Sequence, residues 1–346
     1  MVDKSRIAVI DDLVLNSYDD LNAILAEVSA RPSEDEPRLR YAQMLAKDDR
    51  RKQEARFIEV QCELAQIASA SSPPTTPEGI ARFRQLHDEE QALFSRWGRE
   101  KTNEYKESFP GLHKVVYRRG FPSHFIFDDA SQFDRYAEEL SEAAPLLEGL
   151  TLDLGERYFD FSWQADKFFD LPILERVDAL SLRGKGWNDQ AAESLASSTR
   201  VGHLKALNLS ACDVGPDGLR EILISPNLPQ VKSLEFSNNS IPIDVVKIFS
   251  DVGSLHPALH FLWLNDCGLD DAGATELAST PALETLKELH LEGNPLSPVA
   301  INKLLDSPYL NSVVLTLDTE HLPQKVGQLI SRRTDEHNEI ATGRNV

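Results

Sequence analysis

The sequence predicts an α/β fold, a horseshoe-shaped solenoid preceded by an all-α N-terminal domain. Two observations indicate it. A pattern of spaced leucines, L-x-x-L-x-L-x-x-N/C-x-L, recurs between Leu147 and Leu315, and a stretch of helical periodicity follows most copies. The segment before residue 111 lacks this pattern and carries apolar residues at helical intervals. Parallel strands joined by helices would place the strands on a concave face and the helices on a convex face.

The repeat is clearest in four copies whose first residues are Leu204, Val231, Leu259 and Leu286, at spacings of 27, 28 and 27 residues. The apolar residues at positions 1, 4 and 6 of each copy should point inward from a short strand and stack on the neighbouring repeats. Position 9 lies where the chain leaves the strand, and a side chain there can satisfy backbone groups that the turn leaves unpaired. The structural residues predicted at position 9 are Cys212, Asn239, Cys267 and Asn294.

Three weaker strands are expected to precede these copies and one to follow them. They start at Leu112, Leu147, Val177 and Leu310, so the first strand would begin the solenoid and the last would end it. Convex helices should follow the strands. Ser297 and Pro298 form one helix start, because serine caps a helix and proline fits its first turn.

This spacing resembles that of leucine-rich repeat proteins, and the long unit is similar to their ribonuclease-inhibitor subtype, which has a helix in every repeat. The observed spacings fall within the window of roughly 20–29 residues for such repeats. The resemblance implies a solenoid that presents a binding surface.

The N-terminal segment reads as helices. The first should be capped by Ser17 and bury a stripe of Leu21, Ile24, Leu25 and Val28. Proline and acidic residues open a second helix at 35–37, a third covers 55–67, and a long amphipathic helix runs from Pro77 to near Phe109.

Part of this segment resembles the bacterial repeat-companion domain over residues 19–67. The matching stretch is Asp35-Glu-Pro-Arg-Leu-Arg-Tyr-Ala-Gln-Met-Leu45, together with residues 55–59 and 61–65. Met44 stands where that family has tryptophan. The resemblance implies architecture, without an activity. The predicted domains are therefore a helical domain over 1–110, a leucine-rich repeat solenoid over 111–330 and a polar tail over 331–346.

Composition limits the classes of partner. A net charge of −20 argues against nucleic acid and against an anionic membrane surface, since both need a cationic footprint. The three cysteines include no C-x-x-C pair. Cys212 and Cys267 should lie two strands apart, too far for a disulfide. A reducing cytoplasm fits this usage, and no signal peptide or membrane span is expected.

No catalytic motif, cofactor fingerprint or metal-ligand spacing is present, so the sequence predicts a non-enzymatic protein without catalytic residues, cofactor or metal. His260 and His290 fall on adjacent strands, but in different positions of the repeat. That arrangement does not secure the ligand geometry a metal needs. Free cysteines at repeat positions are typical of small buried apolar residues.

The residues that flank the inward leucines should form the concave face. Ten residues on this face and its turns are predicted to bind a partner: Arg183, Glu235, Asn238, Phe261, Trp263, Asn265, Asp266, Glu288, His290 and Glu292. Phe261 and Trp263 are expected to point into solvent, which is typical of an interface hot spot. Shielding of both rings by a loop or by the sheet edge is the alternative.

These features favour a scaffold or adaptor that binds a protein, with the carboxylates selecting a basic patch on the partner. A rival hypothesis is a regulator of a small GTPase that uses Arg118, Arg119 or Arg183, by analogy with some ribonuclease-inhibitor-like proteins. A third is self-association through the strand edge at 313–315. The oligomeric state stays open.

Overall fold

The computed structural model describes residues 20–70, 74–154, 164–240, 248–249 and 258–318. The chain divides into two compact units, the first comprising 1–125 and 139–147 and the second comprising 126–138 and 148–346. This division differs from the boundary predicted at 110/111, because residues 111–125 group with the helices. The predicted cap Ser17 and the tail at 331–346 lie outside the described residues.

The first unit combines helices with a pair of strands. Helix α1 covers residues 20–30. The following helices are α2 (Glu36–Leu45), α3 (Lys52–Ser69), α4 (Pro77–Leu93) and α5 (Arg99–Ser108), with a π-helical turn at Phe94–Gly98 between the last two. Strands β1 (Leu112–Arg118) and β2 (Phe121–Phe127) come next, followed by α6 (Ala137–Ala143). Strand β2 belongs to this unit up to Phe125, and α6 belongs to it from Glu139. The predicted helix from Pro77 to near Phe109 is confirmed, since residues 77–108 are continuously helical with the π-helical segment inside them.

The core of the first unit confirms the stripe predicted for the first helix. Val28 of α1 is fully buried, and Leu21, Ile24 and Leu25 pack against the same cluster. The remaining buried members of this cluster are Tyr41, Ala42, Leu45, Ala55, Ile58, Cys62, Phe121 and Leu146. Arg38 is also buried; its guanidinium donates to the Glu34 carbonyl at 2.7 Å and lies 5.8 Å from the Phe121 ring. Helical periodicity did not predict this arginine.

Strands β1 and β2 form a hairpin, so the expectation that residue 112 begins the solenoid is wrong. The two residues between the strands, Arg119 and Gly120, have φ values of 51° and 85°. Positive φ at both central positions is the requirement of a two-residue type I′ hairpin turn. The chain therefore reverses directly into β2, where a repeat would need a helix.

The second unit is a strand–helix repeat. Its strands are β3 (Gly149–Asp153), β4 (Ala179–Arg183), β5 (Ala206–Asn208), β6 (Ser233–Glu235), β7 (Phe261–Trp263), β8 (Glu288–His290) and β9 (Val314–Thr316). Each pairs in parallel with the next. The helices between them are α7 (Ala165–Phe169), α8 (Asp189–Ser197), α9 (Pro216–Ile224), α10 (Asp271–Ala278) and α11 (Pro298–Leu305).

A single ladder of leucines holds the strands in register. The paired residues are Leu150, Leu180, Leu207, Leu234, Leu262, Leu289 and Leu315. None is more than 3% exposed. Apolar side chains from adjacent repeats therefore bury one another, which is how a solenoid forms a continuous core from units too small to fold alone.

The predicted register of the last strand is wrong by two residues. Leu315 pairs with Leu289, which is position 4 of its repeat. The sequence pattern had placed Leu315 at position 6 and Val313 at position 4. Val313, Leu315 and Leu317 are all buried. This alternating run offered two registers, and pairing with β8 selects the later one.

Helix starts follow the expected capping chemistry. The Ser297 hydroxyl accepts from the Ala300 N–H at 3.3 Å, and Pro298 occupies the first turn. Asn188 and Asp270 cap α8 and α10 in the same way. Within the described residues no helix is both long and apolar enough to cross a membrane.

Candidate protein-binding face

The residues on either side of each ladder leucine form the outer face of the strands, which is half-buried on β4–β9 and buried on β3. They are arranged in two rows because the strands are in register. The first row is Gly149, Ala179, Ala206, Ser233, Phe261, Glu288 and Val314. The second row is Thr151, Ser181, Asn208, Glu235, Trp263, His290 and Thr316. Small residues fill the early part of the first row, and aromatic and acidic residues follow.

Three rings stack on this face. The centroid of the Trp263 ring lies 5.0 Å from that of His290, with the planes 15° apart. Phe261 lies 6.1 Å from Trp263, with an interplanar angle of 23°. All three side chains are half-buried. Trp263 is therefore not part of the leucine core.

Carboxylates lie on both sides of the stack. Glu235 on β6 pairs directly with Trp263, and Glu288 on β8 pairs with Phe261. The Glu288 Oε2 lies 3.1 Å from the His290 Nε2. The structure thus brings together five of the predicted partner-binding residues.

Four more predicted residues form a strip beyond the strand ends. The Asn265 Oδ1 accepts from the Glu292 N–H at 2.8 Å, and the Asn265 carbonyl accepts from the Asn238 N–H at 2.9 Å. Asn238 and Asp266 have φ values of 60° and 52°, a region in which Asn and Asp are tolerated better than most residues. Both are exposed. Asn265, Asn238 and Asp266 therefore also help to form the turns that follow the strands.

Arg183 is not near this group. It ends β4 and pairs with Asp153 of β3, so three strand spacings separate its strand from β7. At about 4.8 Å per spacing this separation is about 14 Å. Its assignment to the binding surface stays a prediction.

The four residues predicted to be structural join neighbouring repeats. The Asn239 Oδ1 accepts from the N–H groups of Cys212 and Val214, both at 3.1 Å, and its Nδ2 donates to the carbonyls of Leu209 and Phe236 at 2.7 and 2.9 Å. Asn294 makes the corresponding bonds to the repeat of Cys267, at 2.8–3.1 Å. Both amides are at least nine-tenths buried.

The cysteines complete the same turns. The Cys212 Sγ lies 3.1 Å from the Leu182 carbonyl, and the Cys267 Sγ lies 3.3 Å from the Asn265 carbonyl. All three cysteines are free and buried. Burial raises the pKa of Cys267 to about 12 and the pKa of Cys212 further still. Both thiols are therefore protonated and unreactive at neutral pH.

Sequence reasoning missed two carboxylates that join successive helices. The Asp189 Oδ1 accepts from the N–H groups of Gly215 and Gly218 at 2.6 and 3.1 Å. The Asp271 Oδ1 accepts from the Ser297 N–H at 2.7 Å, and hydrogen bonding from Ser297 lowers the pKa of this carboxyl. The signal was present, since both aspartates follow the capping residue of their helix.

The structure removes Arg119 from the expected outer face. Its guanidinium pairs with Asp35 at 2.7 Å and donates to the Ser33 carbonyl at 2.6 Å, so its contacts lie within the first unit. The GTPase-regulator hypothesis thereby loses one of its three arginines. No group of three potential metal ligands is assembled anywhere in the described part of the chain.

Comparison with known proteins agrees with the repeat pattern. The family model described as Leucine Rich repeat matches residues 203–223. The human NACHT, LRR and PYD domains-containing protein 13 is 34% identical over 106 residues, which is 30% of this chain and 10% of that protein. The crystal structure of the yeast Rad7–Elc1 complex aligns with a TM-score of 0.33 and 16% identity, over 61% of this chain and 67% of that one. The first two matches support a leucine-rich repeat protein.

Proposed function

We propose that this chain is a non-enzymatic scaffold that binds a protein partner on the outer face of β6–β8. The observation that carries the proposal is the stack of Phe261, Trp263 and His290 between two carboxylates. Half-buried aromatic side chains amid polar neighbours have the composition of interface hot spots. The matching leucine-rich repeat model supports an interaction role.

The finer architecture belongs to the same proposal. The outer face would be the concave side of a horseshoe of ribonuclease-inhibitor-like repeats, and the first unit would contain a repeat-companion domain. A reducing cytoplasm suits three buried free thiols. The partner would present a basic patch, because the net charge is −20 and Glu235, Glu288 and Glu292 line this face.

Site-specific photocrosslinking tests the location of binding. A photoreactive residue placed at Ser233, beside Phe261, should give adducts with a partner in cells that make the protein. The same residue at Asn302, exposed on α11, should not.

Trp263→Ala should abolish the adducts from Ser233, because removal of a hot-spot side chain weakens binding by about 30-fold or more. Phe83→Ala is the matched control, since Phe83 is a 40% exposed aromatic residue on α4. Equal adducts from both positions, or adducts insensitive to Trp263→Ala, would remove this face from the proposal.

A further inference from the structure

We infer that the stacked rings of β7 and β8 bind an arginine side chain from an extended segment of the partner. This inference rests on the proposed function and specifies the chemistry that the outer face recognises. It depends on the shape of the stack, the placement of two carboxylates and the row of small residues beside it.

The three half-buried rings offer aromatic surface on which a guanidinium can stack. The Phe261, Trp263 and His290 planes lie within 23° of their stacking neighbours across two adjacent strands. A guanidinium is planar, weakly hydrated and stacks on aromatic faces, and tryptophan is the best partner for such a cation. A lysine ammonium has no plane to match this surface.

The carboxylates are placed to hold the guanidinium edge. Glu235 lies on the strand before Trp263, and Glu288 on the strand after it. Adjacent strands are about 4.8 Å apart, so a guanidinium over the Trp263 ring lies within side-chain reach of both. An arginine fork can form two parallel hydrogen bonds to one carboxylate, which gives geometric specificity in addition to charge.

Charge on this part of the face is complementary to such a ligand. The two rows on β6, β7 and β8 contain Glu235 and Glu288 but neither lysine nor arginine. Lys232 and Lys287 precede the strands and lie outside both rows. An arginine that enters between the carboxylates meets no lysine or arginine of the two rows. It would share Glu288 with His290, whose Nε2 lies 3.1 Å from the Glu288 Oε2.

The first row leaves space for the peptide that carries the arginine. On β4–β6, before Phe261, it consists of the half-buried Ala179, Ala206 and Ser233, none of which extends far from the sheet. A backbone can approach the sheet closely along this row, and the bulk of Phe261 ends it. The arginine would then follow the segment that lies on the small residues.

Selection of short random peptides displayed on phage against the purified full chain tests the inference. We expect enrichment of arginine at one position of the selected sequences and loss of their binding with Trp263→Ala. For the best peptide, replacing this arginine by lysine or by citrulline should weaken binding about tenfold each. Lysine keeps the positive charge but lacks the planar group, whereas citrulline keeps the planar group but lacks the charge. The two replacements therefore separate the contribution of stacking from that of electrostatics.

Protein variants provide the matched comparison. Glu235→Gln with Glu288→Gln should weaken the arginine peptide by about tenfold or more, because charge-assisted hydrogen bonds are lost. The control pair Glu193→Gln with Glu284→Gln removes two exposed carboxylates that lie outside the two rows and should leave binding unchanged.

The outcomes separate the inference from the proposed function. Peptides that require Trp263 but show no arginine preference, or tolerate lysine equally, overturn the arginine inference and leave the binding face in place. Peptides indifferent to Trp263→Ala, or no binders at all in a selection that includes a positive-control protein, overturn both.

Discussion

Asn239 completes the turn of the repeat that precedes it by accepting a hydrogen bond from the backbone N–H of Cys212 at 3.1 Å. The two residues are 27 positions apart and occupy the same place in successive repeats. The buried side-chain amide of Asn239 therefore satisfies backbone groups of the preceding repeat. In an isolated loop such groups would be satisfied by hydrogen bonds within the turn. The stability of each of the two repeats thus depends on the other.

Replacement of Asn239 by alanine should strongly destabilise the second unit. Two N–H groups and two carbonyls would lose their side-chain partner in a buried site, at about 1–3 kcal/mol for each group left unsatisfied. We expect the free energy of unfolding to fall by at least about 3 kcal/mol in a urea titration.

Asn208→Ala is the control for that change. Asn208 is half-buried on the outer face, where its Oδ1 accepts from the Ser210 N–H at 2.8 Å. Its loss should cost about 1 kcal/mol. Similar losses for the two variants would contradict the inter-repeat role of Asn239.

Gly120→Ala should destabilise the first unit because two penalties combine. Gly120 has φ +85°, and an added Cβ would lie 2.4 Å from the Ile58 Cγ1 and 2.5 Å from its Cα. We expect a loss of about 3 kcal/mol in the free energy of unfolding, measured by thermal unfolding followed by circular dichroism.

Gly268→Ala isolates the backbone penalty, since Gly268 has φ +71° and nothing within 4 Å of the added Cβ. That control should lose about 1 kcal/mol, and an equal loss at Gly120 would show that the hairpin does not pack on Ile58.

Arg119→Ala should lower the stability of the first unit by about 2 kcal/mol, since it breaks a charge-assisted contact with Asp35 and one with the Ser33 carbonyl. The two charged side chains are only 19% and 15% exposed, so added salt should screen their interaction little.

Arg50→Ala is the comparison, because Arg50 pairs with Asp48 while its side chain is 88% exposed. Its effect on a urea midpoint should be close to zero; equal effects would show that the Arg119 contact contributes no more than a surface pair.

The three thiols should resist labelling in the folded protein. Burial raises the pKa of Cys62 and of Cys267 to about 12 and that of Cys212 as well. Because only the thiolate reacts, raising the pH toward 9 should leave native labelling by iodoacetamide slow, whereas all three cysteines should react in denaturant. Mass spectrometry counts the adducts. Rapid native labelling of any one of them would show that its site opens.

The leucine pattern predicted the repeats because positions 1, 4 and 6 of a copy have one physical role. It predicted Asn239 and Asn294 because position 9 lies where the chain leaves the strand and backbone groups need a partner. It failed at Leu315, because alternating apolar residues fit two registers. It also failed for the strand that starts at Leu112, because the two-residue turn at Arg119-Gly120 makes this strand part of a hairpin and not of a repeat. The stack of Trp263 on His290 depends on cross-strand pairing, and the periodicity of a single strand does not encode it.

The direction of the asparagine contacts has a consequence for synthesis on the ribosome. The backbone N–H groups of Cys212 and Val214 obtain their partner only when Asn239 emerges, 25–27 residues later. The repeat that carries Asn239 therefore finishes its predecessor, and Asn294 does the same for the repeat of Cys267. A nascent chain that stopped before either asparagine would leave the preceding turn without this partner.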